Sequence, residues 1–151
     1  MKNIFLVLAF LLLGMFPIHS LSKGFDISVT IEGFRNNKGQ VLLALHDKAN
    51  AFPTKPDMAA QKAIVPIQNK SDMGFSYYIQ YTFKNVVPGI YAVTSVHDEN
   101  SNGDMDLFLF RPAEGYGTSN DIRSLFGPPS FHDAKFEVSS ENVRLDITMG
   151  Y

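Results

Sequence analysis

The chain contains no cysteine and no tryptophan. Without cysteine it can form no disulfide, thiolate metal site or iron–sulfur cluster, and it offers no thiol nucleophile and no N-terminal cysteine for lipid attachment. An excess of charge is also missing: 13 Lys and Arg against 15 Asp and Glu leave a formal charge of −2 over 151 residues. No basic run stands out, so nucleic acid is not an expected partner, because phosphate contacts dominate such affinities. There is no dinucleotide-binding glycine fingerprint, no phosphate-binding loop and no G-x-S-x-G elbow. Internal repeats, low-complexity tracts and a linker to a second domain are absent as well. What is plentiful is aromatic: 13 Phe and 6 Tyr, a composition that favours β-structure.

The first 22 residues read as an address. Lys2 supplies a positive start, Ile4–Phe16 is an apolar run interrupted only by Gly14, and Pro17 breaks any helix. Ser20 and Ser22 are small residues suited to cleavage before Lys23, with cleavage after Ser20 as the rival. The apolar run is shorter than the roughly 20 residues of a spanning helix. A signal peptide over 1–22 is therefore expected, with one domain over 23–151, periplasmic or secreted. No later stretch is long and apolar enough to span a membrane. A cysteine-free chain suits an oxidising compartment.

Beyond the leader the pattern is that of strands. Phe25, Ile27, Val29 and Ile31 alternate with Asp26, Ser28, Thr30 and Glu32, a half-buried strand. Gln40–His46 is more continuously apolar, and the turn-rich Phe34–Gly39 between them predicts a hairpin. Asp47–Asp57 reads as a loop and Met58–Lys62 as a short helical turn. Ala63–Ile67 reads as a brief strand, put at an edge by Pro66. A turn over Asn69–Gly74 precedes a β-rich Tyr77–Phe83, and Val87-Pro88-Gly89 is a tight turn. Ile90–His97 is the expected central strand, and Lys135–Val138 and Val143–Met149 the last two. About seven strands without a long amphipathic helix predict an antiparallel Greek-key β-sandwich. One connection, Asp98–Pro129, is so long that it is either a functional loop or hides strands that the pattern does not reveal.

That connection begins with Asp98-Glu-Asn100-Ser-Asn102-Gly103-Asp104-Met-Asp106. Asp98, Asn100 and Asn102 fall at positions 1, 3 and 5 of a D-x-N-x-N-G pattern, Gly103 at the sharp turn, and Asp104 and Asp106 at positions 7 and 9. Hard oxygen donors at this spacing can wrap Ca²⁺. Position 12, however, is Leu109 rather than a bidentate Glu, and no helix pattern precedes Asp98, so this is no EF-hand. A site here would need completion from elsewhere, with Glu114 or Asp133 as candidates. The competing reading is a polar turn in which Asp and Asn bond their own backbone. Mg²⁺ fits less well, because it demands a rigid octahedron.

Further on, Gly115 and Gly117 flank Tyr116, and Phe126-Gly-Pro-Pro-Ser-Phe131 follows. Tyr116, Phe126 and Phe131 could form a platform for a sugar or extended peptide, with Asn120 and Arg111 as polar contacts. The alternative is a loop packing its own aromatics over the sandwich end. His46, His97 and His132 lie on different elements without metal-ligand pairing. His97, beside Asp98, is the one that could order the loop or serve as an acid–base group.

Three stretches in this order, VPGIYAVTSVHDENSNGDMD, PAEGYGTSN and FGPPSFHDAKFEV, resemble the bacterial family called domain of unknown function 2141. VTIEGFRNNKGQVLLALHDKANAFP is similar to its first hairpin. The family's H-D-E-N-x-N-G-x-x-D stretch corresponds to His97, Asp98, Glu99, Asn100, Asn102, Gly103 and Asp106. Its E-G-x-G-x-S-N stretch corresponds to Glu114, Gly115, Gly117, Ser119 and Asn120. The chain departs from the pattern at Phe110-Arg111 and at Thr118. The resemblance implies an exported transthyretin-like or carboxypeptidase-regulatory-like sandwich and supplies no reaction. The leading expectation is a non-enzymatic binding or accessory module of the cell envelope, its partner a protein, glycan or envelope component. Two alternatives are a small hydrolase or isomerase using His97 with Asp98 or Glu114, and a purely structural domain.

Overall fold

Alternating apolar residues create the first layer. The computed structural model describes residues 23–67, 69–70, 77–109, 111–122 and 127–151; the expected signal peptide, most of the Asn69–Gly74 turn and Phe126 lie outside these. Strand β1 (Phe25–Phe34) buries Phe25, Ile27, Val29 and Ile31 and turns the polar set outward. It pairs antiparallel with β5 (Tyr77–Val86) and, on its other side, parallel with β11 (Val143–Thr148). The short β4 (Asn69–Lys70) completes this sheet beyond β5. The second sheet runs β10 (Phe136–Val138), β6 (Gly89–Asp98), β2 (Gln40–His46), β3 (Gln61–Pro66), all antiparallel, with β9 (Gly115–Thr118) also beside β6.

The two sheets share one core. Ile27, Val29, Ile31, Ile79, Phe83 and Ile147 of the first meet Val41, Leu43, Leu45, Tyr91, Val93 and Val138 of the second. Burial of such residues, at about 25 cal/mol per Å² of apolar surface, is the main favourable term of the fold. The chain is an all-β sandwich. All seven expected strands are present, β6 is central, and Pro66 ends the edge strand β3.

Four expectations change. The first hairpin does not form: β1 and β2 belong to different sheets. Both flanks of β1 are already hydrogen-bonded, to β5 and β11, so it offers β2 no edge. The connection instead crosses the end of the sandwich. Gly39, at φ +68°, lies so close to the Asp98–Glu99 backbone that a Cβ could not be placed. The antiparallel expectation fails for β1–β11, because the last strand returns alongside the first in the same direction. The helical turn lies earlier, as a 3₁₀ turn at Pro56–Met58, and Gln61-Lys62 is already strand.

Last, the long connection is built rather than loose. It carries a small hairpin of β7 (Leu107–Phe108) and β8 (Arg111–Pro112), then β9 and a 3₁₀ turn at Ser119–Asp121, and helix α1 (Phe131–Ala134) follows directly after it. The C-terminal part of the connection and α1 give the second sheet an outer cover. Ala92 packs with Phe52 and Ala134 there, against Ile122 and Phe131. This explains why β2 and β6 are apolar on both faces, whereas β1 alternates.

Candidate functional site

β6 delivers His97 and Asp98 to one end of the sandwich, and strand alternation sends them to opposite faces. Asp98 is fully buried. Its Oδ1 accepts from Asn102 N at 3.0 Å, and its Oδ2 accepts from Gly103 N at 2.9 Å and Gln40 Nε2 at 2.8 Å. The next links run down the loop. Asn100 Oδ1 accepts from Asn102 N at 3.0 Å, and Asn102 Oδ1 accepts from Asp104 N at 2.9 Å. These bonds leave the two amide groups to donate to Asp106, Asn100 Nδ2 to Oδ2 at 2.7 Å and Asn102 Nδ2 to Oδ1 at 3.0 Å. Gly103 takes φ +88° at the turn. The D-x-N-x-N-G spacing thus closes a tight ring of side chain-to-backbone bonds.

Glu114 closes the ring from outside. Its carboxylate is buried; Oε1 accepts from Glu99 N at 2.8 Å and Oε2 from Asp106 N at 3.1 Å. One side chain therefore ties both ends of the Asp/Asn loop to the start of β9. Of the two candidate completions, Glu114 reaches the loop. Asp133 instead lies within α1, where its Oδ2 accepts from the N-cap Ser130 Oγ at 2.7 Å and its Oδ1 lies 3.1 Å from His132 Nδ1. The Asp104 side chain is exposed at the turn.

His97 sits behind this loop, wholly buried. Its Nε2 lies 2.9 Å from the Lys38 carbonyl and its Nδ1 2.6 Å from Tyr151 Oη. A carbonyl only accepts, so Nε2 carries a proton; in the neutral imidazole Tyr151 then donates to Nδ1. The same tyrosine oxygen accepts from Arg35 N at 3.1 Å, and the Arg35 guanidinium lies 4.5 Å from the Tyr151 ring centre. Arg35 reaches on to Glu99, Nε to Oε1 at 2.6 Å, while Asn36 Nδ2 donates to Oε2 at 3.0 Å. Burial pushes the Glu99 carboxyl up, but the bonds from Asn36 and Arg35 and the Arg35 charge bring it below its ordinary value. Burial raises the Tyr151 phenol. The acid–base alternative would need His97 in contact with Asp98 or Glu114; among the described residues no hydrogen bond joins them.

Residues 29–146, more than three quarters of the chain, match the family described as an uncharacterized protein conserved in bacteria (DUF2141). The chain belongs to that family. No curated protein and no solved structure matches it.

The aromatic platform is split between elements. Tyr116 is half-buried in β9, where its backbone pairs with Gly150. Phe131 opens α1 and packs edge-on against Phe52, with ring centres 5.9 Å apart. Asn120, at φ +63°, donates to the Asp133 and Lys135 carbonyls at 3.0 and 3.2 Å, so it ties the 3₁₀ turn to α1. Among the described residues, the exposed aromatic of this connection is Phe108 on the small hairpin. The three histidines stay apart: His46 bonds Thr94 on the outer face of the second sheet, His97 lies inside, and His132 is exposed.

Sequence reasoning missed Arg35, Asn36, Lys38, Gln40 and Tyr151. Arg35, Asn36 and Gln40 reach the loop, and Lys38 and Tyr151 reach His97 behind it, from 54 or more residues away, from the cross-sheet connection, β2 and the C-terminus. Only the Asn-Asn and Gly of the connection were visible in advance, and they signalled a turn rather than a partner for β6.

Proposed function

We propose that this protein is an exported, non-enzymatic binding module of the bacterial cell envelope, with Asp98–Glu114 as its recognition element. One observation carries the reading: the buried Glu114 carboxylate cross-ties the amides of Glu99 and Asp106 and fixes the segment's shape. Asp98, Asn100, Asn102 and Asp106 are likewise engaged in holding the loop. What the segment presents outward is an apolar hairpin. Preorganised geometry of this kind lowers the ordering cost of binding.

The test is site-specific photo-crosslinking in producing cells. A photoreactive residue at Phe108 is expected to capture an envelope component, and one at Ile64, exposed on the opposite edge strand β3, is not. Absence of adducts at both positions, or equal labelling, overturns the reading. Export is read from the mature N-terminus, expected at Lys23 or Leu21; intact Met1 on envelope-located protein contradicts it.

The same loop supports a second reading, stabilisation by Ca²⁺. Direct hydrogen bonds hold Asp98, Asn100, Asn102 and Asp106 together, and each asparagine oxygen accepts one amide and keeps one lone pair. These residues would hold the ion and Glu114 would brace them. Ca²⁺ at 100 times its dissociation constant stabilises by about 2.7 kcal/mol. A rise of several degrees in Tm with Ca²⁺ and not with chelator is expected; equal melts refute the reading.

A further inference from the structure

The hairpin of β7 and β8 has an unusual surface. Leu107, Phe108 and Leu109 are 63, 71 and 76% exposed, the largest run of exposed apolar side chains among the described residues. Among the described residues the two strands pair only with each other, apart from both sheets. Its base is nevertheless fixed: Ala113 N donates to the Asp106 carbonyl at 2.8 Å, and Asp106 N is held by Glu114. Arg111 lies across from Phe108 at the tip, exposed and in no ion pair among the described residues.

The turn residue adds an independent observation. Leu109 has φ +47°, a conformation that suits Gly or Asn and is strained for a bulky side chain. Its side chain buries almost nothing in return. Backbone strain kept at an exposed apolar residue points to a role outside folding.

We propose that this hairpin inserts its tip into an anionic phospholipid surface, Leu107, Phe108 and Leu109 entering the acyl boundary and Arg111 meeting headgroup phosphate. The inference rests on the binding-module reading and names its partner. Three side chains offer at most about 500 Å², short of the roughly 800 Å² that each side of a stable protein interface contributes. A bilayer sets no minimum area: interfacial binding is reversible and grows with the apolar area inserted plus the attraction of each cation to anionic lipid. The acidic groups lie at the hairpin's base rather than at its tip. The Asp106 carboxylate is held in the loop by two asparagine amides, and Asp104 is exposed three residues before the hairpin's apolar run.

Because the chain has no tryptophan, Phe108→Trp makes a sole indole reporter at the tip. With vesicles of phosphatidylglycerol and phosphatidylethanolamine, in chelator, its emission is expected to shift to the blue, and much less so with phosphatidylcholine alone. Leu109→Gly in that background relieves the turn, so its Tm should be equal or higher, yet its vesicle partitioning should fall about tenfold. Arg111→Gln should cost roughly fivefold on anionic vesicles only. No blue shift, or partitioning unchanged by Leu109→Gly, overturns the proposal. So does a shift that follows protein concentration without lipid, which would make the tip a contact between copies. A protein adduct at Phe108 in cells together with no vesicle binding would reject the lipid partner and leave the binding module standing.

Discussion

Glu114→Gln is the most informative change to the recognition segment, because it keeps the shape of the side chain and alters one oxygen. The wild-type carboxylate offers a separate oxygen to each of two backbone N–H groups, those of Glu99 at 2.8 Å and Asp106 at 3.1 Å. Glutamine keeps one acceptor and turns an NH₂ toward the other amide. One charge-assisted bond, about 1.5–3 kcal/mol, is lost, and a donor is left facing a donor. Burial of Glu114 keeps water from replacing the lost bond. The neutral amide gains back part of this through easier desolvation, so a net loss of about 1.5–3 kcal/mol is expected. For a domain of this size that is on the order of 5–12 °C in Tm. Glu114→Ala should cost more, since both amides lose their partner. Urea melts supply the free energy, with an unchanged slope showing that the folded state persists. Amide hydrogen exchange should accelerate at Glu99 and Asp106 before the core strands. A loss under 0.5 kcal/mol, or exchange at those two amides equal to wild type, would refute the cross-tie.

Three further outcomes are expected. Tyr151→Phe removes the hydroxyl between His97 and Arg35 N, and should cost about 1–2 kcal/mol in a urea melt. Glu99 sits below its ordinary value of 4.5, so its stabilisation is complete above that value and is lost as pH falls through the lowered folded value. Melts of wild type and Glu99→Gln should therefore differ at pH 7, and the difference should shrink as pH falls below 4.5. For His46, burial lowers the imidazole below 6.5, with the Asp47 charge opposing; its Nδ1 is the one buried side-chain nitrogen or oxygen without a partner among the described residues. The unfolded chain takes up that proton first, so stability should decline as pH drops below 6.5, and His46→Gln should flatten the decline in melts between pH 7 and 5.

Period and punctuation already determined much of this protein. Strict alternation in Phe25–Glu32 and Val143–Met149 marks half-buried strands, because side chains on a pleated strand alternate between core and solvent. Continuous apolarity in Gln40–His46 and Ile90–His97 marks strands covered on both faces. The D-x-N-x-N-G spacing likewise marks a tight loop, since short Asp and Asn side chains reach backbone amides only two to five residues on. These signals are local, and local geometry satisfies them. Which strand pairs with which is not local. Phe25–Phe34 and Gln40–His46 looked like a hairpin, but the edges of β1 were taken by β5 and by the last strand of the chain. Nor could a sequence window show that Tyr151 bonds His97, or that Arg35 and Asn36 hold Glu99, because those partners meet only when the sandwich closes. The run Leu107–Phe110 is apolar by composition, which does not say whether it is buried. Only the tertiary structure, by setting the hairpin outside both sheets, left Leu107, Phe108 and Leu109 in solvent.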